Sequence, residues 1–286
     1  MIDNFVVFIL THGRADNVKT YETLKRQNYS GPVVFVVDDE DAQMARYFEN
    51  FGEENVEVFS KTEVAKRFDR GDNFDKRGAI IYARNACFDI ARKRGYRYFI
   101  ELDDDYTSFT YRFNENLDFV ETKIKSVEDV WRKMLDYYKS APRLSSIAMA
   151  QGGDFIGGGQ GGFGNLKPGR KAMNSFICDT ERQFDFVGTI NEDVNTYVSK
   201  AHVGLVFLAI PVVCLHQMQT QKNAGGMTDL YLDSGTYVKS FYTVMFCPSA
   251  AKVAVMGGNV EKRLHHNISW NHCAPKILSE HYRKNK

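Results

Sequence analysis

Three consecutive carboxylates, Asp103–Asp105, follow the largely apolar run YFIEL at Tyr98–Leu102. Carboxylates set side by side repel one another, and either solvent or a cation relieves that repulsion. On extended backbone the side chains at i and i+2 point the same way, so Asp103 and Asp105 can face one pocket. A divalent ion there could bridge to a pyrophosphate and neutralise charge developing on a departing diphosphate. A solvated acidic turn is the plainer alternative. Glu192–Asp193 is a second acidic element, at the start of a predicted helix. It could cap that helix, or take a proton from an acceptor hydroxyl as the hydroxyl attacks an electrophilic carbon. Three of the seven histidines cluster at His265, His266 and His272. One of them, with His266 and His272 the leading candidates, could complete a metal sphere around Asp105 once the C-terminal segment folds back. Neither a tetrahedral zinc spacing nor HExxH is present.

Positive charge for a diphosphate could come from Arg14, Arg84 and Lys76/Arg77. Arginine offers a rigid fork for oxyanions, and Arg84 could equally orient Asp103 from behind. Asp38 and Asp39 could receive donors from a nucleobase or ribose. For an acceptor, Tyr106, Phe109, Tyr111, Arg112, Phe155, Phe163 and Trp270 offer stacking surface and charge. A flipped or single-stranded base would use both, although core and loop packing are the commoner uses of such residues.

These residues must be positioned by elements that alternate in type. Strands are predicted at Phe5–Leu10, Pro32–Val37, Val56–Phe59 and Tyr98–Leu102. Helices are predicted at Ala15–Gln27, Asp41–Asn50 and Ala79–Arg94. This alternation specifies an α/β fold with a mostly parallel sheet flanked by helices. The strands beginning at Phe5, Pro32 and Tyr98 run into THGR, DDED and DDD. Ligands collect beyond the carboxyl ends of parallel strands, so three polar ends imply one pocket. Beyond Asp105 the pattern is less regular. A helix is expected over Ser126–Ser140, strands over Ile147–Ala150 and Ala251–Val255, and a helix over Leu230–Met245. The apolar stretch Val203–Leu215 reads as a strand or strand pair. The glycine-rich QGGDFIGGGQGGFGN at Gln151–Asn165 lacks the order of a P-loop and reads as a loop near a ligand. No repeat or long linker divides the 286 residues, which form one predicted domain: a donor half over 1–105 and an elaborated acceptor half over 106–286.

With 43% hydrophobic and 26% charged residues, the composition is globular. No apolar run reaches the roughly 18 residues of a membrane span, and the N-terminus has no leader pattern. Five scattered cysteines without a CxxC pair are expected to be reduced, in an intracellular setting. A formal charge of +1 excludes a polycation but not local basic surface, which is concentrated at Lys167–Lys171, Lys262–Arg263 and His281–Lys286.

FILTHGR at Phe8–Arg14, VVDDED at Val36–Asp41, ARNACFDIA at Ala83–Ala91 and YFIELDDDY at Tyr98–Tyr106 together resemble a sugar-nucleotide-dependent glycosyltransferase of GT-A architecture. More narrowly, with GTINEDVNTYV at Gly188–Val198 and HHNISWNHC at His265–Cys273, the chain resembles the TET/JBP-associated glycosyltransferases of phages. That resemblance implies a GT-A-like, Rossmann-related domain and a UDP-sugar donor, UDP-glucose or UDP-N-acetylglucosamine, used with Mn2+ or Mg2+. It implies hydroxymethylated DNA as acceptor, at 5-hydroxymethylcytosine or 5-hydroxymethyluracil, in the cytoplasm of an infected host. Thr11, Arg14, Asp38, Asp39, Arg84, Asp103 and Asp104 would bind the nucleotide. Asp103, Asp105, His266 and His272 would serve the metal, and Asp193, beside Glu192, would act as base. The glycine-rich loop carries no familiar acceptor code. A carbohydrate or protein acceptor, a noncatalytic nucleotide-sugar or nucleic-acid binding protein, and nucleotidyl transfer are the alternatives.

Overall fold

Phe5–Leu10 (β1) is buried along its whole length, and its alternate residues feed two different cores. Phe5, Val7 and Ile9 face one core; Val6, Phe8 and Leu10 face the other. A strand apolar on both faces belongs in the middle of a sheet covered by helices on each side. In the computed structural model, which describes residues 1–71, 78–151, 163, 170–218, 238–256 and 262–273, that is its position.

The chain continues through Lys19–Arg26 (α1), Val33–Asp38 (β2), Met44–Phe51 (α2), Val56–Phe59 (β3), Lys61–Ala65 (α3), Ile81–Lys93 (α4) and Tyr98–Asp103 (β4). Then follow Tyr106–Phe113 (β5), Phe119–Lys123 (β6), Val127–Ser140 (α5), Leu144–Gln151 (β7), Ser175–Asp179 (β8), Glu192–Ala201 (α6) and Val206–Gln217 (β9). A helix over 238–246 (α7), a hairpin of Ala251–Met256 (β10) and Arg263–Ile268 (β11), and Trp270–Cys273 (α8) complete the described elements.

The main sheet has the order β3-β2-β1-β4-β8-β7-β9-β5-β6. Its first four strands are parallel, and β7 and β9 run with them; β8 and β5 run against that direction. The expected parallel α/β sheet is therefore present, with the antiparallel insertions in the less regular half. Helices α1, α2 and α5 lie on one face and α4 and α6 on the other. Trp131 of α5 is fully buried, with its ring 6.4 Å from Phe5, 5.4 Å from Tyr29 and 5.6 Å from Phe109.

The element boundaries depart from expectation for local reasons. Tyr106–Phe113 is a strand because α1 zips onto its backbone: Gln27 exchanges two 2.8 Å hydrogen bonds with Phe109, and Thr23 donates to the Tyr106 carbonyl at 2.9 Å. Val206–Gln217 is one strand, not two. It passes through Pro211 with a register shift against β7 between Met149 and Ala150, as a proline that cannot donate to the ladder requires. Helix α2 begins at Met44 because Asp41 instead accepts from the Gly13 and Gln43 amides. The polar segment after Ser60 opens with α3, and β11 runs through RLHHNI at Arg263–Ile268. Of the helix expected over Leu230–Met245, only the part within 238–246 lies in the described residues, and most of the glycine-rich run lies outside them. All five cysteines are free and buried, and among the described residues no helix is long and apolar enough to cross a membrane.

Replacing Trp131 with Ala removes the indole that joins β1 to β5 through α5. The expected loss is about 3–5 kcal/mol of folding stability, read as a lowered urea midpoint.

Candidate active site

Helix α4 presents Arg84 in its first turn, beneath the end of β4. The guanidinium is 1% exposed, yet it meets three carboxylates. Asp103 Oδ1 lies 2.9 Å away, Glu192 Oε1 3.2 Å and Glu101 Oε2 3.6 Å. The rings of Phe176 and Phe186 sit 4.9 and 5.8 Å from its centre, so apolar surface and cation–π contact replace water around the charge. Burial opposes the charge, but the three carboxylates and Tyr106 outweigh it and raise the Arg84 pKa, keeping the group cationic. Glu101 is fully buried, and burial pushes its pKa up to about 8 against the pull of Arg84.

The acidic turn is clamped from α1. Thr20 donates to the Asp103 carbonyl at 2.5 Å and accepts from the Tyr106 amide at 2.9 Å, while its own amide donates to the Asp104 carbonyl at 3.1 Å. This latch sends the three aspartates different ways. Asp103 goes to Arg84. Asp104, buried, accepts from Thr11 Oγ1 at 2.8 Å and from Arg14 Nη1 at 2.6 Å. Asp105, half-buried, has no ion pair among the described residues. Burial, then Asp103 and Asp104, push its pKa up to about 7.

The end of β2 makes a second cluster. Asp38, 4% exposed, accepts from His12 Nδ1 at 2.6 Å and faces Lys61 Nζ at 2.9 Å. Burial raises the Asp38 pKa, but His12 and Lys61 outweigh it, so the net shift is downward. His12 is raised, mainly by its bond to Asp38. Asp39 turns the other way, accepting from the Lys61 amide at the start of α3. Of the two expected nucleoside contacts, only Asp38 therefore belongs to the cluster with His12. His12, Asp41 and Lys61 belong to this cluster without standing out in the sequence. The first two lie inside THGR and DDED, whereas Lys61 lies outside every motif.

At the start of α6, Asn191 holds a left-handed conformation (φ 62°), and Glu192 and Asp193 form the first helical turn. Glu192 is committed to Arg84. Burial and Asp193 push its pKa up to about 7 despite that cation. Asp193 has no ion pair among the described residues; Oδ1 accepts from the Val194 amide at 2.7 Å. Asp193 is also close enough to Asp103 to raise that residue's pKa, which places α6 beside the acidic turn. His266 Nδ1 lies 3.4 Å from Asn191 Nδ2, so β11 meets the same helix start. Burial, with His265, Lys239 and Lys171, lowers the His266 pKa to about 3 and keeps the imidazole neutral, as a metal ligand must be. His272 is exposed, and its Nδ1 lies 3.1 Å from the Ser249 carbonyl.

Two cations, Arg14 and Arg84, thus face six carboxyl groups: Glu101, Asp103, Asp104, Asp105, Glu192 and Asp193. The excess of hard oxygen donors, with no ion pair to Asp105 among the described residues, suits Mg2+ or Mn2+. Asp103, Asp105, His266 and His272 are not themselves gathered as a compact set. Among the described residues, the groups whose ligand atoms lie within 4.8 Å of one another are His12–Asp38–Asp41 and Glu121–Cys214–His216.

The mixed sheet flanked by helices on both faces has the layout of a GT-A-type fold. A model of the TET-Associated Glycosyltransferase family matches residues 5–226, and the chain belongs to that family. No curated protein matches it. Among solved structures, the chain is similar to glucosyl-3-phosphoglycerate synthase from Mycobacterium tuberculosis in complex with Mg2+ and UDP. The TM-score is 0.47 at 8% identity, over 92% of this chain and 87% of that one. A mannosyltransferase from Pyrobaculum calidifontis in complex with GDP-Man and Mn2+ gives 0.45 at 11%, over 86% and 74%. TarS from S. aureus in complex with UDP gives 0.42 at 12%, over 86% and 65%.

The His12–Asp38 pair carries a pH signature. Because the His12 pKa is raised on folding, its contribution is complete below the usual value of 6.5 and is lost as pH rises through the raised value. Melting curves should show wild type losing stability relative to His12→Gln as pH is raised from 6.5. An unchanged gap would refute the coupling.

Proposed function

We propose that the protein transfers a hexosyl group from a UDP-sugar, UDP-glucose or UDP-N-acetylglucosamine, to the hydroxymethyl oxygen of 5-hydroxymethylcytosine or 5-hydroxymethyluracil in DNA, with inversion. The observation that carries this reading is the pair of carboxylates with no ion pair among the described residues, Asp105 and Asp193, each close enough to Asp103 to interact with it. One suits a metal–diphosphate complex and the other a hydroxyl nucleophile. Family membership supports the transferase chemistry and motivates the DNA acceptor.

In this reading residues 1–105 chiefly hold the donor. Asp38, set by His12 and Lys61, receives donors from the base, with Asp39 behind it at the start of α3. Thr11 and Arg14, fixed on Asp104, border the diphosphate. Asp105, with Asp103 behind it and His266 or His272 completing the set, would hold Mn2+ or Mg2+, which when bound neutralises charge on the diphosphate. Residues 106–286 chiefly supply the acceptor side. Asp193 accepts the hydroxymethyl proton as the oxygen bonds to the anomeric carbon, and the bond from that carbon to the diphosphate oxygen breaks to release UDP. Glu192 acts through Arg84, holding α6 against the acidic turn. The reaction would take place in the cytoplasm of a phage-infected bacterium.

Asp193→Asn should lower kcat by about 10²–10⁴-fold while UDP affinity is retained. Full turnover with unchanged product stereochemistry would remove Asp193 from the role. The acceptor is tested by offering both UDP-sugars, with Mn2+, to DNA containing either hydroxymethylpyrimidine and to unmodified DNA, followed by nucleoside mass analysis. A hexosylated nucleoside is expected from modified DNA only. Transfer instead to an oligosaccharide or peptide would move the enzyme to another acceptor class.

A further inference from the structure

Tyr197 lies four residues beyond Asp193 on α6, one helical turn away on the same face. Its ring stacks on Trp270, with centroids 5.8 Å apart and planes 24° from parallel. Arg170 Cζ lies 5.3 Å from the Trp270 centroid. Arg170 is exposed and has no ion pair among the described residues. An arginine over an indole is partly ordered by cation–π attraction while its N–H donors stay free for an oxyanion, which suits a phosphate. Lys171 follows Arg170 in sequence, and Lys171 and Lys239 both lie near enough to His266 to depress its pKa. These basic side chains contrast with the acidic cluster around Arg84, although the chain as a whole is nearly neutral at +1.

We infer that Arg170, seated on the Trp270–Tyr197 stack, contacts a backbone phosphate of the nucleic-acid acceptor, with Lys171 and Lys239 as further basic side chains. The inference rests on the DNA-acceptor reading above and adds the surface that holds the strand. A phosphate gripped at Arg170, across the Trp270–Tyr197 stack from α6, would fix the register in which a flipped base reaches Asp193. The basic side chains would also draw the polyanion towards carboxylates that repel it.

The test is binding of a labelled oligonucleotide carrying 5-hydroxymethylcytosine or 5-hydroxymethyluracil, followed by anisotropy at about 50 to 200 mM salt. Arg170→Ala should weaken binding roughly five- to tenfold and reduce the slope of log affinity against log salt by about 0.7–0.9, the loss of one phosphate contact. The KM for DNA should rise while kcat at saturating DNA holds, and UDP affinity serves as the control for folding. Arg170→Lys should recover the slope but not all of the affinity, because an ammonium lacks the guanidinium's planar fork of donors. Trp270→Phe should fall between wild type and Arg170→Ala. If wild type glycosylates DNA and Arg170→Ala leaves both affinity and slope unchanged, the phosphate contact is refuted and the function stands. If wild type neither binds nor glycosylates modified DNA, both readings fail.

Discussion

A guanidinium that is 1% exposed among Glu101, Asp103 and Glu192 is the constraint on which the site depends. These carboxylates come from β4, which ends at Asp103, and from α6, which begins at Glu192, elements separated by the middle of the chain. Without a cation between them, their mutual repulsion in a dry environment would drive α6 away from the sheet. A buried charge stripped of its partners typically costs about 3–5 kcal/mol, so the cluster holds together or fails as a unit. Glu192 is thereby occupied, and Asp193, adjacent in sequence, has no ion pair among the described residues. The division of labour between two neighbouring acids follows from which of them reaches Arg84.

The same logic orders the turn after β4. Asp104 is drawn back by Thr11 and Arg14, and Asp103 is drawn to Arg84, which leaves Asp105 without an ion pair among the described residues, with Arg14 acting on it only from a distance. The latch from Thr20 makes this divergence stable by holding the Asp103 and Asp104 carbonyls and the first amide of β5. The cluster at the end of β2 is built differently, from His12, Asp38 and Lys61.

The two halves of the sheet differ in how they are made. The parallel half comes from alternating strands and helices with local connections. In the other half β8 and β5 run against the rest, and β5 is ordered largely by side chains of α1, from far earlier in the chain. The hairpin β10–β11 and the short helix after it return to the start of α6, bringing His266 and Trp270 to opposite ends of its first turns.

The N-terminal strands, their helices and the gathering of polar strand ends were legible in the sequence, because fully apolar runs separated by helix-length segments have few alternatives. The three acidic elements were legible for a related reason: adjacent carboxylates at a strand end need an explanation. What the residue order did not contain was the pairing. Nothing in DDD says that its middle residue is tied back to Arg14 while its last is left unpaired, and nothing in ED says which acid meets Arg84. Nor does the spacing of Lys61 from DDED show that its side chain returns to Asp38. Sequence determined which groups carry charge and where strands end, since both are local properties. Tertiary structure decided which charges cancel, because that depends on distances between distant segments in a medium where an unpaired charge is costly.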